Sequence, residues 1–199
     1  KRQIYNQPLT NIVFMGMGEP LLNYKNVTRS IHFITSEEGL NMSYKRITLS
    51  TSGISKMIRK LADDNVKVNL ALSLHAANEE LRKKIMPIGK SNTLEEIRDS
   101  LKYYFSKTKK KVTYEYVLLR DVNDSIEDAY QLYKYTKHLS SKVNIIEYNS
   151  VEGLEFKKSS FEKTEKFIGY LLKKGVNVSL RRSRGKDINA ACGQLANKN

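Results

Sequence analysis

The chain has no tryptophan, one cysteine and three prolines in 199 residues. A single cysteine cannot close an internal disulfide, and it cannot build a thiolate metal site by itself. No apolar run approaches membrane-spanning length, and no secretory signal is visible. Without a disulfide framework, a reducing cytoplasm is the expected compartment. Acid is scarce too: 21 Asp and Glu stand against 35 Lys and Arg, for a net charge of +14. Nowhere do His, Cys, Asp and Glu fall at metal-ligand spacing.

What is present fits one domain over residues 1–199, long enough to bury a sizeable core. Twelve Tyr and six Phe supply the large side chains. The chain opens on Lys-Arg-Gln rather than Met, as a fragment or a processed product would.

Short β-branched apolar runs alternate with longer helical patterns. Strands are predicted over 11–15, 46–50, 66–74, 111–118, 143–148 and 176–180. Helices are predicted over 26–38, 55–64, 78–86, 94–107, 126–139 and 160–174. Thr93 with Glu96, and Ser159 with Glu162, have capping-box spacing, and Gly175 sits where a C-cap glycine belongs. The strands are too apolar to alternate cleanly, which predicts burial on both faces of a parallel sheet. Such repetition gives either an open doubly wound sheet or a barrel, and in both the chemistry collects at the C-terminal strand ends.

The noteworthy residues fall at those ends. Gly16-Met17-Gly18-Glu19-Pro20 follows the first strand; its glycines let a ligand approach the backbone, though a tight turn is an equal reading. It matches no dinucleotide or Walker fingerprint. Ser50, Thr51 and Ser52 suit a carboxylate or ribose hydroxyl, or simply cap the next helix. His75 is a base or a satisfied loop histidine, and alone the second reading is favoured. His32 and His138 read as structural. Glu19 and Glu147 are the acids nearest the rim, but no pair stands out as general acid and base.

Two basic stretches concentrate the charge. For Lys107, Lys109, Lys110 and Lys111, polyanion binding and a solvated lysine surface are equally supported. In the second stretch, Lys173 to Lys186, Arg181, Arg182, Arg184 and Lys186 favour phosphate binding, because arginines gather at a strand end beside the Cys192 segment. Cys192 itself is a small buried side chain or a reactive thiol, and unpaired cysteines are usually packing residues.

Four segments taken together change that balance: Gly16-Met17-Gly18-Glu19-Pro20, Thr48-Leu49-Ser50-Thr51-Ser52-Gly53, Ser73-Leu74-His75-Ala76 and Asp187-Ile188-Asn189-Ala190-Ala191-Cys192-Gly193-Gln194-Leu195. In this order they resemble the radical S-adenosylmethionine methyltransferases that methylate C2 of an adenine in large-subunit ribosomal RNA and, in some cases, transfer RNA. The resemblance runs from about Asn11 to Leu195. It implies a partial (β/α) barrel with its first strand missing, an α/β fold. Gly18, Glu19, Ser50, Ser73, Leu74, His75 and Asn149 would then hold S-adenosylmethionine, and Cys192 would carry the methyl group. Adenine C2 is not a nucleophile, so a polar transfer fails; the family loads a cysteine sulfur first and completes the reaction by radical chemistry.

The family also uses a [4Fe-4S] cluster on Cys-x-x-x-Cys-x-x-Cys and an electron donor to feed it. That motif is absent here, as are the upstream acid and the resolving cysteine. The expectation is a C-terminal part of the enzyme, beginning just before its second strand and inactive alone. Asn189 replaces the Asp usual before Ala-Ala-Cys. A sister family methylates C8 of the same base and confers antibiotic resistance; Pro20, Ser52 and Arg184-Gly185 side with the C2 enzymes. A third reading is a non-catalytic basic RNA-binding module.

Overall fold

The computed structural model describes residues 8–150, 153 and 155–182, the side chains of Pro87 and Lys90 excepted. The strands are β1 (Ile12–Phe14), β2 (Ile47–Thr51), β3 (Asn69–Ser73), β4 (Val112–Leu118), β5 (Ser141–Glu147) and β6 (Val178–Arg181). The helices are α1 (Tyr24–Thr35), α2 (Ser55–Asp63), α3 (Glu79–Ile85), α4 (Leu94–Thr108), α5 (Ile126–Thr136) and α6 (Phe161–Lys173). Short 3-10 turns cover Pro20–Asn23, Tyr44–Arg46 and Pro87–Lys90. No helix among the described residues is long and apolar enough to cross a membrane.

Every strand pairs in parallel with its sequence neighbour, in the order β1-β2-β3-β4-β5-β6. Crossovers between parallel strands are right-handed, so an order that never reverses puts every helix on the same side of the sheet. A doubly wound sheet requires a reversal. The architecture is therefore an incomplete barrel of the expected α/β type, with β1 and β6 as its edges.

The two sheet faces differ, which corrects the expectation of apolar burial on both. On the helix side, Ile47, Leu49, Leu70, Leu72, Val112, Tyr114, Tyr116, Leu118, Val143 and Ile145 join the core. Strand residues alternate faces, so Thr48, Ser50, Ser73, Thr113, Glu115, Asn144 and Ser179 lie on the other, concave face. The apolar run that masks the alternation comes from Ala71, Val117 and Ile146 on that same concave face.

Caps explain most element boundaries. Thr93 and Glu96 form the predicted capping box of α4. The Ser159–Glu162 expectation fails: Ser160 is the N-cap of α6, accepting from the Lys163 amide, while the Ser159 hydroxyl donates to Asp124 at 2.6 Å. A second box, Ser125 with Asp128, starts α5. Gly175, at φ +74°, closes α6 as expected, with Gly175 and Val176 amides donating to the Leu172 and Leu171 carbonyls. Strand β3 starts three residues later than predicted because Asn65, at φ 54°, and the Val66 amide, bonded to the Leu61 carbonyl, are used to end α2.

Gly53 follows β2 at φ +100°, and a Cβ there would lie 2.7 Å from Ile97 Cδ1 and 3.2 Å from Leu72 Cδ1. Both the backbone and the packing exclude a side chain. Gly53→Ala is expected to cost about 2–4 kcal/mol, seen as a lower urea midpoint. Unchanged stability would refute this account of the turn.

Candidate functional site

The C-terminal rim is built from loops that the strands bring side by side. Gly18, at φ +82°, sits where only glycine is comfortable, and a Cβ on Gly16 or Gly18 would meet nothing within 4 Å. The loop thus leaves open space above the backbone. Glu19 ends the loop as the N-cap of the Pro20–Asn23 turn: its Oε1 accepts from the Leu21 amide at 3.0 Å. Its Oε2 accepts from the Ser52 amide at 2.6 Å and the Ser52 hydroxyl at 2.7 Å. The carboxylate is therefore spent on clamping the β1 loop to the end of β2. What this loop offers a ligand is backbone.

Ser50 donates its hydroxyl to the Phe14 carbonyl at 2.8 Å. Its proton is committed, so the oxygen faces a ligand as an acceptor, suited to an ammonium or a hydroxyl donor. Ser73 ends β3 on the concave face, partly exposed. Leu74 is fully buried in the helix-side core, so its side chain cannot line the site; only its backbone can. Its amide donates to the Glu115 carbonyl at 3.0 Å. Asn149, just past β5, is buried and polar. Glu147, the other rim acid, is paired with Lys158 at 3.1 Å.

His75 is fixed from three sides. It holds φ 55°, its Nδ1 accepts from the Val117 amide at 3.2 Å, and its carbonyl accepts from Asn123 Nδ2 at 2.7 Å. Burial, aided by the Arg82 charge, lowers its pKa to about 4. With Nδ1 accepting, the network assigns the proton to Nε2. The ring is a neutral donor, not a base.

Three features escape sequence reading. Asn123 is fully buried and ties the His75 loop to the end of β4, bonding the His75 and Val117 carbonyls and the Leu119 amide. Arg82, 1% exposed, donates from Nη2 to the Ser52 carbonyl at 2.6 Å, while its Nε and Nη1 have no acceptor among the described residues. Across the concave face runs a polar row: Ser179 donates to Asn144, and Asn144 to Glu115, both at 2.8 Å. Arg181 lies 3.4 Å from the same Glu115 carboxylate. The alternation of β4 is the signal that could have found this row, because Glu115 stands between Tyr114 and Tyr116, which face the core.

The rim thus gathers Gly18, Glu19, Ser50, Ser73, His75 and Asn149 at adjacent strand ends, with Arg181 and Arg182 ending the row at β6. Arg184, Lys186, Asn189 and Cys192 lie outside the described residues. Among the described residues, no group of three or more His, Cys, Asp or Glu could hold a metal ion.

A singly wound parallel sheet with its polar loops at one rim defines a barrel-type α/β ligand-binding domain. The sequence profile of the Radical SAM superfamily matches residues 1–133, and the chain belongs to that superfamily. A "Probable dual-specificity RNA methyltransferase RlmN" of Flavobacterium psychrophilum is 57% identical over 194 residues, covering 98% of this chain and 56% of that protein. The namesake protein of Salinibacter ruber is 50% identical, again over 98% of this chain and 53% of its own length. The chain therefore spans about half the length of these relatives. A crystal structure of a radical SAM methyltransferase from Sphaerobacter thermophilus superposes with a TM-score of 0.93 at 40% identity, over 96% of this chain and 56% of that one.

Because His75 stays neutral to about pH 4 when folded but titrates near 6.5 when unfolded, the unfolded state takes up the proton first as pH falls. Stability is then lost progressively from about pH 6.5 down to about pH 4. His75→Gln is expected to flatten that stretch of the stability–pH curve. Superimposable slopes for the two proteins would contradict the neutral, half-buried ring.

Proposed function

We propose that the protein containing this chain methylates C2 of an adenine in large-subunit ribosomal RNA, and in transfer RNA, with this chain supplying the S-adenosylmethionine site and the methyl-carrying cysteine. The observation that carries the reading is the Glu19–Ser52 clamp, which ties the Gly16–Gly18 loop to the end of β2 beside Ser50 and leaves open space over its two glycines. The names of the relatives support RNA as the substrate class.

The donor set fits S-adenosylmethionine. Its ammonium needs acceptors, which the loop carbonyls of Gly18 and Glu19 and the Ser50 oxygen offer. Its carboxylate and ribose need donors, which Ser73, His75 Nε2 and Asn149 would supply. When bound there, it supplies the methyl group and the starting material for radical chemistry. Cys192, as a thiolate, accepts the one-carbon unit and holds it as a thioether. A [4Fe-4S] cluster does not fit this chain's residues, since it needs three thiolates and the chain has one cysteine. Those ligands and the electron donor must come from outside this stretch, and this stretch alone is inactive.

Ser52 bears on the choice between the C2 and C8 readings. Its hydroxyl is one of three donors to Glu19, so an apolar residue there would loosen the clamp. Arg181 and Arg182, exposed at the end of β6, make an RNA-facing flank of the rim, and Arg184 and Lys186, which follow them in sequence, lie outside the described residues. Glu115 steers the Arg181 guanidinium there.

In the full-length protein, Cys192→Ala is expected to abolish product formation while S-adenosylmethionine binding, measured by calorimetry, is retained. Normal methylation by that variant would eliminate the carrier role. Neutral replacements of Arg181, Arg182, Arg184 and Lys186 should weaken RNA binding and flatten its dependence on salt by about 0.7–0.9 for each phosphate no longer neutralised. An unaltered slope would remove these residues from the RNA interface.

A further inference from the structure

At the opposite end of the sheet, where the strands begin, lies an open cleft of about 390 Å³. Lys45, Lys67 and Lys110 line it, each just ahead of a strand: β2, β3 and β4 respectively. Ser43, Tyr44 and Asn41 add hydroxyl and amide groups, and no carboxylate belongs to the lining.

None of the three ammonium groups makes an ion pair among the described residues, and the three converge on one cleft. The acids nearest in sequence are already engaged or elsewhere. Asp63 accepts from the Tyr103 hydroxyl and Asp64 from the Tyr24 hydroxyl, both at 2.6 Å. Glu37 and Glu38 are exposed beyond α1 and do not line the cleft.

The backbone under these lysines is fastened even though their heads are not. The Lys45 carbonyl accepts from Asn69 Nδ2 at 2.8 Å, and the Ser43 hydroxyl caps its turn. The Tyr104 hydroxyl lies 2.9 and 2.7 Å from the Val66 and Val68 carbonyls, on either side of Lys67. The Lys110 amide donates to Thr108 Oγ1 at 3.2 Å, after a left-handed Lys109 at φ 55°. Three like charges thus rise from a fastened backbone around one concavity, with no carboxylate paired to them among the described residues. Solvated surface lysines do not need a fixed frame; a site for anions does.

We propose that this cleft binds backbone phosphates of the RNA substrate, as a second contact remote from the reacting base. The inference rests on the RNA reading above. The five residues of β2 or β3 separate the two ends by about 17 Å. A contact at both ends selects a folded RNA over a lone nucleotide or short single strand.

The test uses the full-length protein with Lys45→Gln, Lys67→Gln and Lys110→Gln combined, and a transfer RNA transcript as probe. Expected are a salt slope of log Kd reduced by about 2–3, a raised KM for RNA, and unchanged kcat and S-adenosylmethionine affinity. Amine acetylation should label the three lysines in the free protein and spare them in the complex. Protection without RNA would mean that the protein's own remaining chain covers the cleft, and would overturn the proposal. So would an unchanged slope and KM in the triple variant while Arg181→Gln/Arg182→Gln reduces both, an outcome that leaves the RNA reading standing. Absence of salt-dependent RNA binding by the unmodified protein would sink both readings together.

Discussion

Three hydrogen bonds converging on the Glu19 carboxylate set the geometry of the rim. A loop with two glycines has many conformations, and a carboxylate bonded by amides and a hydroxyl selects one of them; hydrogen bonds to a charged group contribute about 1.5–3 kcal/mol each. The constraint propagates. Ser52, which holds Glu19, offers its carbonyl to Arg82, and the buried Arg82 charge works with desolvation to keep His75 neutral. Two hydrogen-bonded steps and one electrostatic influence therefore link the loops after β1, β2 and β3. None of these residues needs to touch a ligand for the link to matter, because it decides where the ligand-facing atoms stand.

The concave face is organised by a different rule. Glu115 is nearly buried, and it is tolerated because Asn144 and Arg181 both bond it and Ser179 bonds Asn144 in turn. The row crosses β4, β5 and β6 in register, with Glu115 opposite Asn144 and Asn144 opposite Ser179. It stiffens the inner surface without apolar packing and ends on an arginine at the rim.

Hydrophobic patterning along the chain is enough to reveal the six strands and six α-helices of the described residues, and the rim residues fall at strand ends as parallel α/β topology requires. What stays hidden has physical reasons. Arg82 stands in the run Arg82-Lys83-Lys84, where only the fold reveals which basic side chain turns inward. Asn123 sits in an Asn-Asp pair that reads as an ordinary turn, though its amide joins two loops 48 residues apart. The Ser125 box escapes notice because Asp128 fills the place where a Glu or Gln is looked for. Leu74 is grouped with the ligand residues by its neighbours, but alternation along β3 turns its side chain to the core. Choosing between barrel and doubly wound sheet needs strand order, a long-range property that local patterns do not encode.

Winding every crossover on one side has a consequence for how such a protein can change over time. The helix-side residues answer to packing, and the concave-side residues outside the Glu115–Asn144–Ser179 row and the Ser50–Phe14 bond answer to the chemistry in front of them. Substitutions at Thr48 or Thr113 alter what the hollow can hold without removing a member of the helix-side core. Stability and substrate preference are thus carried by separate sets of positions on the same strands, free to drift or be selected independently.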